Sequence, residues 1–310
     1  MADNTAWEQE TLQKLLLETL KEQRRKRRWG IFFKLAFLAL IIFSFFWASH
    51  SHDSTLKRSK PHTAMINIHG IIDSEGQASA DEIISVLKDV YDDGNAQAII
   101  LRINSPGGSP VQAAYIYNEI LRQRALHKAI PIYAVCEDVC ASAAYYIASS
   151  AQNIYANQAS LVGSIGALIN GFGFVDAMQK VGVQRRLITS GSDKAFLDPF
   201  SPLKKSDEVI AQTMLNEVHQ QFIHDVKRGR GQRLKIDDQT FSGRAWTGIG
   251  AKAQGLIDGF GSVDDVARNV VKNSNVVCYN PDDDFLSHLT GKFGTEFRNN
   301  VLSQLSPRLS

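Results

Sequence analysis

Residues 96–110 read AQAIILRINSPGGSP, and this stretch indicates the fold. Its first part is almost continuously apolar, which is typical of a strand buried on both faces of a parallel sheet. Gly107 and Gly108 follow, and paired glycines permit a turn in which the backbone approaches its neighbours closely. Pro110 suits the first turn of a helix, which the spacing predicts over residues 109–128. Strand, glycine turn and helix form one unit of an α/β domain.

The same alternation continues on both sides of this stretch. Apolar and β-branched runs predict strands over residues 65–72, 131–139, 153–157 and 184–190. Helical spacing predicts helices over residues 81–93, 141–151, 206–228 and 263–272. Because strands alternate with helices and the strands are rich in apolar residues, the sequence predicts an α/β domain whose sheet is covered on both faces.

Composition excludes several classes of protein. The 310 residues carry 34 Lys and Arg against 32 Asp and Glu, so a net charge of +2 argues against nucleic-acid binding through bulk charge. Three cysteines do not make a disulfide scaffold. Cys136 and Cys140 are interpreted either as a disulfide, in an oxidising compartment, or as two small buried thiols. The eight histidines form no zinc-binding pattern, so we expect no metal.

The N-terminal part predicts a membrane anchor. Residues 24–28 are an unbroken basic run, and residues 29–48 are apolar except for Lys34. A helix of about 20 apolar residues spans the hydrocarbon core of a bilayer. The basic run would keep residues 1–28 in the cytoplasm and place the rest of the chain outside it. A cleaved signal peptide and a buried soluble helix are the alternative interpretations.

This pattern divides the chain into five predicted parts. They are a cytoplasmic segment (1–28), a single transmembrane helix (29–48), a polar linker (49–63), a main α/β domain (64–275) and a polar C-terminal tail (276–310).

Two turns carry the candidate chemistry. The turn at residues 104–110 offers free N–H groups at a helix start, which suits an oxyanion hole, although a phosphate site or a plain tight turn has the same features. The second turn contains Ser142, directly after a predicted buried strand and flanked by alanines. Ala143 follows it, and its N–H would be a second oxyanion donor. A serine that simply starts a helix is the alternative interpretation.

A nucleophilic serine needs a base. No histidine lies between His127 and His219, and His219 falls inside the long predicted helix, where a surface or interface role is simpler. Lys194, in the loop SGSDK, is the other candidate, although a solvated charge is the ordinary role of a loop lysine. A free lysine has a pKa of about 10.4, so a lysine base must be buried or lie near another cation.

Five blocks of sequence, taken together, resemble the signal peptide peptidase A family of membrane-anchored Ser/Lys peptidases. The resemblance covers residues 64–270, and the blocks are INSPGGSP (103–110), ASAAYYIA (141–148), LVGSIGA (161–167), SGSDKAFLDPF (190–200) and FSGRAWTGIGAKAQGLIDGFG (241–261). It implies that residues 64–275 are the peptidase domain, with the spiral α/β architecture of the Clp protease and crotonase fold, carried by an N-terminal transmembrane helix.

The resemblance also implies the site. Ser142 would be the nucleophile, Lys194 the general base, and Gly107 and Gly108, together with the N–H of Ala143, the oxyanion hole. The implied substrate groove is lined by Leu161, Val162, Gly163, Ser164, Ile165 and Gly166. Because the domain occurs once, the lysine would reach the serine of a neighbouring subunit in a ring-like homo-oligomer. No metal, ATP or other cofactor is implied.

The function expected from this resemblance is hydrolysis of cleaved signal peptides and other apolar, membrane-derived peptides. The chain would be a single-pass protein of the bacterial inner membrane, with its catalytic domain in the periplasm and in contact with lipid. Two alternatives remain at this point. One is a crotonase-like acyl-CoA enzyme, and the other is an inactive oligomeric membrane scaffold.

Overall fold

The computed structural model describes residues 24–43 and 58–280. The chain forms two compact units, Met1–Ser59 and Lys60–Ser310. In the first unit, residues 24–43 form helix α1. None of the helices within the described ranges has the length and apolar character needed to cross a membrane. Residues 1–23 and 44–57, which include the end of the predicted span, and residues 281–310 of the predicted tail lie outside the described residues.

The second unit is a mixed α/β domain built on one eight-stranded sheet. The strands are β1 (His62–His69), β2 (Ala96–Ser105), β3 (Ile132–Ala141), β4 (Asn153–Ala156), β5 (Leu161–Gly163), β6 (Ala245–Thr247), β7 (Gly259–Phe260) and β8 (Val276–Cys278). Along the sheet the order is β6-β5-β3-β2-β1-β8, and β4 lies between β3 and β7 off this path. All pairs are parallel except β5 with β6, which is antiparallel. The α/β fold class is therefore confirmed.

The same unit contains seven α-helices among the described residues, and the one at Val175–Lys180 has no buried residue. The helices are α2 (Ala80–Asp92), α3 (Pro110–Leu126), α4 (Ala143–Ser149), α5 (Val175–Lys180), α6 (Lys205–Arg230), α7 (Gly248–Ala253) and α8 (Val263–Val266). The stretch that opened the sequence forms β2 and α3 as predicted. Ser109 caps α3, because its hydroxyl accepts from the N–H of Gln112, and Pro110 occupies the first turn.

The two faces of β2 enter two separate apolar clusters. Ile99, Leu101 and Ile103 belong to the main core, together with the buried faces of α2, α3 and α4. Ala98 and Ile100, on the opposite face, pack in a smaller cluster that includes Val266 and Ala267 at α8. Burial on both faces explains why β2 is apolar at nearly every position.

A buried ion pair joins the end of α6 to the chain before β7. Arg230 is 1% exposed, and its guanidinium donates to both carboxylate oxygens of Asp258 at 2.8 and 2.9 Å. It also donates to the carbonyl of Gly255, and the N–H of Ile154 donates to Asp258. Burial raises the pKa of Asp258, but the bonds and charge of Arg230 outweigh it and hold that pKa below its usual value.

Several predicted elements differ from the structure. The strand predicted over 184–190 is wrong: residues 183–189 have no regular structure, and Ile188 is 98% exposed. The run has strand-forming residues but no strand to pair with among the described residues. The helix predicted over 141–151 begins later, at Ala143, because β3 continues to Ala141. The helix predicted over 263–272 ends as α helix at Val266 and continues as a π-helical turn, Ala267–Val271.

Candidate active site

Ser142 lies at a strained turn between β3 and α4. Its φ and ψ are 55° and −124°, a region that residues with a side chain rarely adopt and that costs about 1–3 kcal/mol. Two backbone hydrogen bonds hold it there, since its N–H donates to the carbonyl of Gly163 at 2.8 Å and its carbonyl accepts from the N–H of Tyr146 at 2.9 Å. The half-buried Ser142 side chain makes no capping hydrogen bond to α4. The Ser142 hydroxyl is therefore not used to cap the helix.

Gly107 packs directly against this turn. A β-carbon added to Gly107 would lie 2.7 Å from the Cβ of Ser142 and 2.9 Å from the carbonyl oxygen of Ala141, and its φ is +111°. Gly108 is equally constrained, because its β-carbon would lie 2.1 Å from the carbonyl oxygen of Ile72. Both glycines are therefore required by close backbone approach, as the sequence predicts.

The three predicted oxyanion groups differ in their hydrogen bonds. The N–H of Gly107 already donates to the hydroxyl of Ser105 at 3.1 Å. Its carbonyl accepts from the N–H of Ile72, which fixes the loop to the chain after β1. The N–H groups of Gly108 and Ala143 donate to no group among the described residues. These two N–H groups are thus the ones available to an oxygen beside Ser142.

A cavity of about 620 Å³ opens beside the serine. Ser142, Ala143 and Tyr146 contribute to its wall, and Pro106 and Gly108 contribute from the glycine loop. The remaining wall is largely apolar and includes Leu168, Ile169, Met214, Leu215, Val218 and Phe222. The site therefore combines one hydroxyl and two available N–H groups with an apolar binding space.

The segment predicted to line the groove divides into two parts. β5 (Leu161–Gly163) is paired on both sides, with β3 and with β6, so its edges are occupied. The side chains of Val162 and Ile165 are buried in the core, and Leu161 faces a different groove. Beyond the strand, Ser164 and Gly166 line the Ser142 cavity, and Ser164 has a φ of 51°.

Lys194 lies apart from the Ser142 cavity within the single chain. It is exposed, it stands in a turn where its N–H donates to the carbonyl of Gly191 at 3.4 Å, and it is not among the residues that line the cavity. Asp198 stabilises the end of this loop by accepting from the Ser201 hydroxyl at 2.7 Å and from Arg185 at 3.3 Å. The structure of one chain therefore does not bring the predicted dyad together.

One further residue at the site was not identified from the sequence. Tyr146, one turn after Ser142, stacks on Phe222 with the ring centroids 4.7 Å apart, and it donates its phenol hydrogen to the buried carboxylate of Asp225. Burial, and then the bond to Asp225, raise the pKa of Tyr146. The separation of 79 residues between Tyr146 and Asp225 hides this pair from any local pattern. The one signal of this pair in the sequence is Asp225 itself, an acidic residue in the second half of the long predicted helix.

His219, for which the sequence favours a surface or interface role, is half-buried and is not among the residues that line the Ser142 cavity. Its Nε2 lies 3.0 Å from the carbonyl oxygen of Ile165, so α6 is tied to the chain that follows β5. In the ranges 24–43 and 58–280, no cluster of three His, Cys, Asp or Glu side chains is arranged to hold a metal ion.

Comparisons with known proteins agree with this geometry. Residues 124–277 match Peptidase family S49. The chain is 30% identical over 205 residues to the Synechocystis sp. protein named "Putative protease slr0021", an alignment that covers 66% of this chain and 72% of that protein. An α/β sheet with a serine at such a turn and this similarity define a serine-type peptidase. The chain belongs to Peptidase family S49.

Two other relatives extend the comparison. The chain is 24% identical over 242 residues to the Enterococcus faecium protein named "Putative signal peptide peptidase SppA", covering 75% of this chain and 70% of that one. It is 39% identical over 204 residues to the Brucella abortus protein named Na(+)/H(+) antiporter NhaA. That alignment covers 64% of this chain but only 28% of the Brucella protein, so the chain spans less than a third of that relative.

Proposed function

We propose that this protein is a serine endopeptidase with Ser142 as nucleophile and Lys194 as general base. The observation that carries the proposal is the strained Ser142 turn, whose hydroxyl stands beside the available N–H groups of Gly108 and Ala143. Strain at a single residue, kept by surrounding hydrogen bonds, is characteristic of functional sites.

The proposed reaction has two halves. Ser142 Oγ attacks the carbonyl carbon of the scissile bond while Lys194 Nζ takes the hydroxyl proton. The carbonyl oxygen becomes an oxyanion and accepts from the N–H groups of Gly108 and Ala143. Lys194 returns the proton to the leaving amine, which leaves an acyl ester on Ser142. Water then attacks the ester, Lys194 takes its proton and returns it to Ser142, and the carboxylic acid product departs.

The proposal assigns Lys194 to a neighbouring copy of the chain in a homo-oligomer. Support comes from the surface around it, where the exposed segment that follows β5 presents apolar side chains to solvent. Leu168, Phe172, Val181, Ile188 and Leu203 are all exposed there. An exposed apolar surface of this kind marks an interaction site. A second copy would bury this segment and bring Lys194 to the Ser142 of its neighbour.

The proposed substrates are apolar peptides, including cleaved signal peptides. The apolar wall of the Ser142 cavity, formed largely by Leu168, Ile169, Met214 and Phe222, supports this class because apolar side chains are favourably transferred out of water. The name of the Enterococcus relative points to the same class.

For the α/β domain we propose the spiral architecture of the Clp protease and crotonase fold. We also propose that the chain has a membrane anchor. The basic run at residues 24–28 followed by the apolar run at 29–48 supports a single-pass inner-membrane protein whose N-terminus is cytoplasmic and whose catalytic domain is periplasmic. Membrane fractionation, followed by protease digestion of intact and permeabilised cells, tests this topology. Digestion of the catalytic domain only after the inner membrane is opened would contradict it.

The experiment for the catalytic proposal is labelling of the full-length, detergent-solubilised protein with a fluorophosphonate probe. We expect a label on Ser142, loss of the label in Ser142→Ala, and strongly slowed labelling in Lys194→Ala. Lys180→Ala removes another exposed lysine of the same segment and should label at the normal rate.

Two outcomes would overturn the catalytic proposal. Full-rate labelling in Lys194→Ala would remove lysine from the role of base. An assembled oligomer that takes no probe and cleaves no apolar peptide would favour the inactive scaffold, and tight binding of coenzyme A would favour the acyl-CoA enzyme.

A further inference from the structure

Cys136 and Cys140 lie on β3 on either side of an irregularity in the sheet. Cys136 pairs with Ile103 of β2 and Cys140 pairs with Ser105, so four steps along β3 match two steps along β2. Two residues of a strand advance by about 6.6 Å, and the two cysteine Cα atoms are therefore separated by roughly this distance. Disulfides form at Cα separations of about 4.4–6.8 Å. The bulge thus brings the two cysteines within bridging range.

The two thiols also meet on the same side of the sheet. Both side chains belong to the main core, with exposures of 1% for Cys136 and 0% for Cys140, and both are free thiols. Burial, and then hydrogen bonding with the Cys136 thiol, raise the pKa of the Cys140 thiol well above its usual value. The pair is therefore a reduced dithiol inside the core.

This dithiol is directly connected to the Ser142 turn. Cys140 precedes Ser142 by two residues, and its β2 partner Ser105 accepts the N–H of Gly107. A movement of Cys140 toward Cys136 would therefore pull both the nucleophile turn and the glycine loop. Displacements of about 1 Å at a reacting group can lower a rate by on the order of 10²-fold.

We propose that Cys136 and Cys140 are a redox modification site: a hydroperoxide converts them to an intramolecular disulfide that slows attack by Ser142. The effect on attack rests on the proposed function, whereas formation of the bond does not. The site would respond to peroxide and recover on reduction by a thiol.

The oxidation proceeds in two balanced steps. Both thiols are almost fully buried, so peroxide reaches them only through a local opening of the fold, and we take Cys136, which is 1% exposed against 0% for Cys140, as the first to react. Its sulfur attacks the peroxide O–O bond, giving a sulfenic acid and, from hydrogen peroxide, one water. The Cys140 sulfur then attacks the Cys136 sulfur, the S–S bond forms, the S–O bond breaks, and a second water leaves with the thiol proton. Two equivalents of thiol are oxidised as one peroxide is reduced.

The test treats the full-length protein with hydrogen peroxide, blocks remaining thiols under denaturing conditions and maps the peptides. Cleavage after Glu137 separates the two cysteines, so a disulfide would hold the two fragments together until reduction. We expect this linked pair, a fall in fluorophosphonate labelling of Ser142 on the order of 10²-fold, and recovery with dithiothreitol. Cys136→Ser should form no linked pair and should keep its labelling rate in peroxide.

Cys278→Ser is the matched control, because Cys278 lies on β8, away from β3, and this variant should behave as the wild type. Two free, alkylatable thiols at positions 136 and 140 after peroxide treatment would overturn the proposal. A linked pair without any change in labelling would also overturn it. If untreated protein fails to label at all, the proposed function fails, and the linked pair still reports on the bond by itself.

Discussion

Gly107 packs directly against Ser142: a β-carbon on the glycine would lie 2.7 Å from the β-carbon of the serine. The glycine loop after β2 and the serine turn after β3 are therefore fitted to each other. Neither can change its backbone without disturbing the other, and the available N–H groups of Gly108 and Ala143 owe their positions to this fit.

Replacing Gly107 by alanine tests this contact. We expect Gly107→Ala to destabilise the domain by about 1–3 kcal/mol, because the added carbon overpacks the turn and the φ of +111° disfavours any side chain. Labelling of Ser142 by a fluorophosphonate should also slow. Urea unfolding and labelling rates measure the two effects. Gly171→Ala, where a β-carbon meets no atom within 4 Å, is the control, and equal behaviour of the two variants would contradict the contact.

Because of the Arg230–Asp258 ion pair, the free energy of unfolding of the domain should depend on pH. Asp258→Asn should destabilise the domain by about 3–5 kcal/mol at neutral pH, because it leaves the buried guanidinium without its counter-charge. The folded-state pKa of Asp258 is lowered, so its stabilisation is fully present above the unfolded value of about 3.9 and is lost as the pH falls through the folded value. Urea unfolding of both proteins from pH 7 to pH 3 measures this.

The control for that series is Glu208→Gln, which removes an exposed ion pair with Lys205 and should leave the unfolding curve unchanged. A stability difference between wild type and Asp258→Asn that stays constant down to pH 3 would contradict the assignment.

Removal of the hydrogen bond made by the Tyr146 phenol should lower the free energy of unfolding. Tyr146→Phe keeps the ring on Phe222 but leaves the buried Asp225 carboxylate without this donor, and we expect a loss of about 1–3 kcal/mol in the free energy of unfolding. Thermal or urea unfolding measures it. Tyr115→Phe, at an exposed position, is the control, and an equally small effect in both variants would show that the bond does not stabilise the fold.

The central β2–turn–α3 unit could be predicted from the sequence because its signals are local. A strand buried on both faces is apolar throughout, and Ser109 and Pro110 mark the helix start. The strand predicted at 184–190 was wrong because a strand also needs a partner, which a local pattern does not supply. The three-residue strand β6 and the two-residue strand β7 were missed for the same reason, since their pairing is set by the rest of the sheet.

The site divides in the same way. Gly107, Gly108 and Ser142 could be named from turn chemistry and from resemblance, and the structure brings them together. Two other features depend on how distant strands and helices align. They are the contact of Tyr146 with Asp225 and the irregularity of β3 that brings Cys136 near Cys140. The role of Lys194 stays a prediction, because the serine it is expected to serve belongs to another copy of the chain.

Subunit mixing tests the central claim most directly. Ser142→Ala and Lys194→Ala are each expected to be inactive towards an apolar peptide. If each site takes its serine from one copy and its lysine from the next, co-assembled oligomers of the two variants at equal proportions should recover about a quarter of wild-type activity, because half of the copies supply each intact residue. Mixed oligomers whose co-assembly is verified but which stay inactive would contradict the shared dyad.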